Sequence, residues 1–292
     1  MMVLVGAMYA TAGTARALGP STASSMGVAA VRLGLGALVF MLMLVPLGGR
    51  YAELPHLFRR PAVWIAALLS ALFQTLYFVG VTLDGVALGG LLTMGSVPVF
   101  SGLLGALFGH RINRAWALAT LIATVGLVLL SIDGIDGGSF VGVLAALGAG
   151  LAGGAFTVAL KRMLDQGESE IPLSACTYTL AASLLLPALL LQSPEWLLTP
   201  QGIAMALYLG IVAMAIPNIL WIKALATLPP GPASTLMLTD PAVATILGVV
   251  VFGERLAWTG IVGICLVVVG LVLQGRFLTR GGSSVEIPLA AA

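Results

Sequence analysis

The chain has 292 residues, of which 60% are hydrophobic and only 8% charged, with a net charge of +2. Soluble domains carry about 25% charged residues, so a water-soluble globular protein is excluded, and no basic cluster interleaved with aromatics points to nucleic acid. Apolar stretches of about twenty residues follow one another and read as membrane-spanning helices, whereas a transmembrane barrel would alternate over segments of about ten.

Breaking the apolar run at charge, glycine and proline clusters gives ten spans, near 3–17, 24–47, 62–83, 87–108, 115–132, 140–160, 173–192, 202–224, 232–252 and 257–275. The first and fifth are short. Cys176 and Cys265 fall inside spans, without metal-ligand spacing, and read as buried thiols. The closing GGSSVEIPLAAA, residues 281–292, reads as a disordered tail or an expression remnant. With the amino terminus inside, the inside connections carry Arg50, Arg59, Arg60, Arg111, Arg114, Lys161, Arg162, Lys223, Arg276 and Arg280, ten of the 13 basic residues. Arg16 and Arg255 fall outside with Asp84, Asp133, Asp136, Glu195 and Glu254, and Arg32 lies within the second span. The basic bias sets orientation, so both termini are expected to be cytoplasmic in a multi-pass inner-membrane protein.

The pattern is stated twice. Residues 98–130, PVFSGLLGALFGHRINRAWALATLIATVGLVLL, align with residues 241–273, PAVATILGVVVFGERLAWTGIVGICLVVVGLVL. Pro98 matches Pro241, Gly105 matches Gly248, and Gly109 matches Gly253, with Gly126 and Gly270 each 17 residues beyond the last pair. Five spans per half is an odd number, so the second half enters the membrane the opposite way: residues 1–138 form one five-helix repeat and 139–280 an inverted second. The predicted fold is an all-α polytopic membrane protein of ten helices in two inverted repeats, an arrangement that places a substrate site between the halves.

PVFSGLLGALFGHR and PAVATILGVVVFGER, each followed by a glycine-ending apolar helix, resemble the two repeats of EamA-type proteins of the drug/metabolite transporter superfamily, over essentially all of residues 1–280. AAVRLGLGALVFMLML resembles the family's second helix with its arginine, Arg32. The stretch GVALGGLLTMGSVPVFSGLLG, residues 85–105, is most similar to the YddG-like branch of aromatic amino acid exporters. The resemblance implies a ten-helix fold, cytoplasmic termini, a central cavity and metabolite efflux.

A charge at mid-helix costs about 2.5–3.5 kcal/mol on insertion scales, so it faces protein or water and often marks function. Arg32 lies about 12 Å into its span at 1.5 Å per residue. It reads either as a partner for a substrate carboxylate or as a structural tie to backbone carbonyls. Thr239-Asp240-Pro241 reads as an N-cap followed by proline at the first helical position, with a kink. Asp240 there could cap the helix, bind a substrate ammonium or carry a proton. Its match in the first half is Val97, so this charge is not part of the duplicated plan.

Gln74 and Tyr77 lie three apart on one helix face, as do Asn218 and Trp221, 144 residues later. An amide and an aromatic repeated in each half could line a cavity or serve as interhelical glue. Phe78, Phe73 and Met94 would add an apolar wall, and Tyr9, Tyr178, Phe156 and Thr157 are weaker candidates. Lys223 beside Trp221 reads as a snorkelling anchor. Pro98, Pro217 and Pro241, with Pro46 and Pro187, supply kinks or hinges. Glycines four apart, at Gly85/Gly89, Gly105/Gly109 and Gly150/Gly154, allow close helix approach.

The function expected is alternating-access export of small organic metabolites, with aromatic and other neutral amino acids favoured, no cofactor or metal, protons as the candidate coupling ion, and a monomer or weak homodimer in the bilayer. A nucleotide-sugar or phosphorylated-metabolite exchanger would want several basic cavity residues, and only Arg32 qualifies. A lipid-modifying enzyme would want clustered acids, bases or ligands within the spans, but His56 and His110 fall in loops. A channel would want a continuous polar lining.

Overall fold

The computed structural model describes residues 1–45, 50–135, 137–191, 194–253 and 255–281, with side chains described as far as Leu278. Pro46, Asp136, Glu254, the Arg280 side chain and the tail from residue 282 lie outside that description. The elements are α1 (Met2–Ala17), α2 (Ser25–Met43), a short α3 (Leu54–Arg59), α4 (Pro61–Leu107), α5 (Arg114–Ser131), α6 (Phe140–Asp165) and α7 (Glu170–Leu191). There follow α8 (Pro200–Leu207), a π-helical segment (Tyr208–Ala215), α9 (Ile216–Thr227), α10 (Pro230–Leu236), α11 (Thr239–Phe252) and α12 (Trp258–Gly281).

Local chemistry sets the helix starts. Ser24, Asn113, Ser139 and Thr199 each turn a side-chain oxygen onto the amide three residues ahead, at 3.1, 2.6, 3.0 and 3.0 Å. These bonds satisfy donors that a helix end leaves open inside an apolar slab. Pro200 stands at the first position of α8, where its missing N–H costs nothing.

Among the described residues, eight helical stretches are apolar and long enough to cross a bilayer. One of them, α4, has 47 residues, about 70 Å at 1.5 Å per residue and twice the hydrocarbon thickness. It folds back at Gly85, whose φ of 79° and ψ of 165° belong to glycine alone. Two arms result, matching the separate spans expected at 62–83 and 87–108. They close on each other without a loop: a Cβ on Gly89 would sit 2.8 Å from the Gly80 carbonyl carbon. The 16-residue α1, shorter than these stretches, packs on α11 and α9. The outer surface is apolar, with Leu121 61% and Val250 74% exposed, as a surface facing lipid requires.

Small residues carry the close approaches. A Cβ on Gly150 or Gly154 would strike Ser96 or Phe100 of the second α4 arm. Between α5 and α12, Gly126 lies against Gly263 and Gly270 against Ala119, each within 2.8 Å of a backbone oxygen once a Cβ is built. Across the molecule, Gly6 of α1 meets Thr239, two residues before Pro241, as Gly150 meets Ser96, two before Pro98.

Five expectations need correction. The span expected at 232–252 is broken, α10 ending at Leu236 and α11 starting at Thr239. Asp240 is not the cap: the N-cap position is Leu238, without a side-chain bond, and Thr239 Oγ1 returns to Leu236 O at 2.9 Å. Lys161 is not in a loop but buried in the last turns of α6. Cys265 is exposed on α12, where only Cys176 is a buried thiol; a thiol in lipid has no need of a core. The helix runs on through Pro98, Gly85 being the non-helical residue of α4.

Candidate functional site

The charged centre is assembled by an interruption in one helix. Pro217, at the start of α9, has no N–H to offer the carbonyl four residues back, Ala213 O. That carbonyl lies in the π-helical segment and instead accepts Arg32 Nη2 from α2 at 3.1 Å. The tie to a backbone carbonyl is therefore present, and it uses one of five guanidinium donors. Arg32 Nε is buried without a partner, and the guanidinium lies 5.6 Å from the centroid of the Tyr9 ring. A cation over an aromatic face gains about 0.5–2 kcal/mol.

Asp240 is brought to α1 by the packing of α11 against it. Its backbone N would stand 3.1 Å from a Cβ on Gly6, one helical turn before Tyr9. It occupies the first turn of α11, directly after the break; a carboxylate there gains about 0.3–1 kcal/mol from the helix dipole. Arg32 and Asp240 are both within electrostatic reach of Tyr9 and Tyr77, and of each other. They do not pair: the salt bridges among the described residues join His56 and Arg60 to Glu168, and His110 and Lys161 to Asp165. Asp240 is half-buried, and its carboxylate accepts no hydrogen bond from a described residue. An ion held off water costs several kcal/mol, so this pair of separated opposite charges calls for a partner.

The duplicated amide–aromatic pairs diverge. Tyr77 is half-buried, stacked on Phe73 at 6.2 Å and edge-on to Phe78 at 5.4 Å. Gln74 is also half-buried, and no described residue hydrogen-bonds its amide. Asn218 and Trp221 are buried and engaged. Asn218 Nδ2 donates to Met214 O at 2.9 Å, while its Oδ1 accepts the Tyr178 hydroxyl. Trp221 stacks on Phe156 at 6.0 Å and 4°, and Phe156 and Phe40 both meet Tyr178. So the first-half pair stays available while the second-half pair forms an interhelical aromatic spine. Met94 packs with Leu91, Leu127 and Leu238, beside the α10–α11 break. Thr157 is buried, its hydroxyl returned to Gly153 O. Among the described residues no three His, Cys, Asp or Glu gather as a metal site.

The two membrane ends differ. At the Gly85 end a cavity of about 430 Å³ is lined by Ser25, Met26, Phe78, Val79, Thr82 and Leu83. It reaches Phe78, whose ring touches Tyr77. At the opposite end Ser101, Gly105, His110, Trp116 and the Pro229–Pro232 link leave only about 10 Å³. Gly102 and Gly231 are seats for the Trp116 ring, at 2.2 and 3.0 Å from an added Cβ. Trp116 Nε1 donates to Thr235 Oγ1 at 3.1 Å, and Thr120 shares that oxygen at 2.8 Å. Lys161 Nζ pairs with Asp165 at 2.8 Å and donates to Ala226 O at 2.9 Å. His110 stands 3.6 Å from Asp165. Burial lowers its pKa from the ordinary value, the Asp165 charge opposing and the Lys161 charge adding to that shift.

The sequence of the relatives decides the family. The profile of the EamA-like transporter family matches residues 140–275. An uncharacterized transporter of Bacillus subtilis (strain 168), YwfM, is 34% identical over 94% of this chain and 92% of its own. The chain belongs to the EamA-like transporter family. The threonine/homoserine exporter RhtA of Escherichia coli (strain K12) is 27% identical, over 88% of this chain and 83% of its own. A crystal structure at 19% identity shares the fold, with a TM-score of 0.80 over 97% of this chain and 98% of that one.

As an EamA-type protein it is a small-molecule transporter in the membrane and not an enzyme. The apolar spans placed Arg32, Asp240 and Tyr77 within helices, where the structure also has them. The spans gave no sign of the π-helical segment or of the Trp116–Thr235–Thr120 cluster. Pro217 four residues after Ala213 was the available signal for the first, and Trp116 followed by Thr120 on one face for the second.

Proposed function

We propose that the protein exports neutral amino acids, aromatic ones among them, across a bacterial inner membrane by alternating access. The observation that carries this reading is the contrast of ends: a cavity of about 430 Å³ lined in part by Phe78 at the Gly85 end, and tight packing at the Pro229–Pro232 end. With both termini cytoplasmic, as the basic residues indicate, the Gly85 end faces outward and the described state is outward-facing. The halves 1–138 and 139–280 are the moving bodies. Their inverted relation is supported by the exchange of roles between Gly126–Gly263 and Gly270–Ala119. The likeness to RhtA favours amino acids, and the Phe73–Tyr77–Phe78 group offers aromatic side chains a stacking surface. A single core arginine gives phosphorylated metabolites too little positive charge. The carrier works as a monomer or weak homodimer, with protons as the coupling ion.

The test is counterflow into proteoliposomes preloaded with one amino acid, using labelled phenylalanine, tryptophan, leucine, threonine and a sugar phosphate. Exchange of the amino acids and exclusion of the phosphate is the expected result. Exchange of the phosphate alone overturns the reading.

A further inference from the structure

We propose that Arg32 and Asp240 form a head-group clamp for a zwitterionic α-amino acid: the Arg32 guanidinium takes the carboxylate and the Asp240 carboxylate takes the ammonium, beside Tyr9. The proposal rests on the amino acid transport reading above and names the two residues that recognise its substrate class.

Three observations carry it. First, both charges are incompletely satisfied. Arg32 spends one donor on Ala213 O and keeps a buried, unpartnered Nε, and the Asp240 carboxylate accepts nothing from the described residues. Second, they stand near each other without touching. Both reach Tyr9 and Tyr77 electrostatically, yet no salt bridge joins them. Opposite charges free to collapse together would do so in a low-dielectric interior. Here each is pinned by backbone. Arg32 is held by the carbonyl that Pro217 leaves open, and Asp240 by the packing of its main chain on Gly6, where an added Cβ would also meet Thr239 Cβ at 2.8 Å. Third, aromatic rings lie within reach of both charges. Tyr9 lies under the guanidinium, and Tyr77 belongs to the ring group that continues to Phe78 and the open cavity.

A ligand that completes such an arrangement carries a negative and a positive group on one carbon and no net charge. An α-amino acid does this, with its side chain directed along the Tyr77–Phe78 wall. A lone amine would leave Arg32 unanswered, and a lone carboxylate would leave Asp240 unanswered. Sites built to hydrogen-bond a substrate group reject analogues lacking it by factors on the order of a hundredfold or more.

The experiment compares L-phenylalanine, phenethylamine and 3-phenylpropionate, which share one ring and differ in charge. Binding is read as ligand-induced thermal stabilisation of the detergent-purified full chain, and transport as competition with labelled phenylalanine in proteoliposomes. Wild type is expected to prefer phenylalanine over both analogues by on the order of a hundredfold. Asp240→Asn weakens phenylalanine and narrows its advantage over 3-phenylpropionate. Arg32→Gln does the same against phenethylamine, with Arg32→Lys in between, each variant first checked for a monodisperse elution profile. Equal binding of the three compounds by wild type, or undiminished phenylalanine binding by Asp240→Asn, overturns the clamp even where the amino acid is transported. Selective binding without flux supports the clamp and overturns the transport reading. Neither binding nor flux removes both.

Discussion

The loopless turn at Gly85 gives a sharp prediction, because its strain is conformational and not steric. A Cβ added to Gly85 meets nothing within 4 Å, so Gly85→Ala creates no clash. Its φ of 79° with ψ of 165° nevertheless lies in a region that alanine avoids at a cost of about 1–3 kcal/mol. Gly90 is the internal control: it is helical, also open, and five residues away. Gly90→Ala should stabilise by about 0.5–1 kcal/mol through helix propensity. Asparagine, which eases left-handed helical positions near ψ of about 47°, should not rescue Gly85, whose ψ is far from that value. The expected order of stability is Gly90→Ala above wild type, with Gly85→Ala and Gly85→Asn together below it. Reversible unfolding in mixed detergent micelles, read by circular dichroism, measures the differences. Equal midpoints for Gly85→Ala and Gly90→Ala would refute the argument that backbone conformation at the turn separates the two α4 arms.

Three further outcomes follow from the site. Tyr77→Ala should cut phenylalanine uptake while leaving membrane levels normal; Trp221→Ala should also melt earlier, since losing a buried aromatic costs about 3–5 kcal/mol, and Trp221→Phe should recover most of that through the Phe156 stack. An imposed pH gradient should drive accumulation in wild type and not in Asp240→Asn; a wild type that only equilibrates its substrate refutes proton coupling. For His110, burial lowers the folded pKa below its ordinary 6.5, so the neutral form is favoured by folding. The sign follows: stability is full above pH 6.5 and falls as acid protonates the folded ring, a loss that His110→Gln should remove from the melting curve.

Much of this architecture is written in one-dimensional pattern, because a bilayer leaves few choices. The charge and glycine at Asp84-Gly85 separated the arms of α4, and the spacing of Gly150 and Gly154 marked a close helix approach without naming its partner. Pattern failed where a partner distant in sequence decides. Nothing within the segment around Ala213 says that Arg32, 181 positions earlier, will take its carbonyl. Nor does Asp240 reveal that the helix breaks three residues before it, at Met237, since Thr239-Asp240-Pro241 carries every local mark of a cap. The equivalence of Gln74–Tyr77 and Asn218–Trp221 was legible as spacing, but Tyr178 and Phe156 occupy the second pair and leave the first open. Related positions thus came to differ through neighbours that spacing does not record.

The α5–α12 contact has one more consequence. Residues 144 apart exchange places across it: Gly126 faces Gly263 as Gly270 faces Ala119. This is the geometry by which two copies of one subunit pair around a twofold axis, here enclosed within a single polypeptide. Each helix carries both surfaces of the junction, so the seam is self-complementary. Two separately expressed pieces, cut in the α5–α6 connection, have what they need to find each other without a covalent link. A bulky residue at Gly126 and one at Gly270 should then weaken reassembly to the same degree, each holding the equivalent place in the seam.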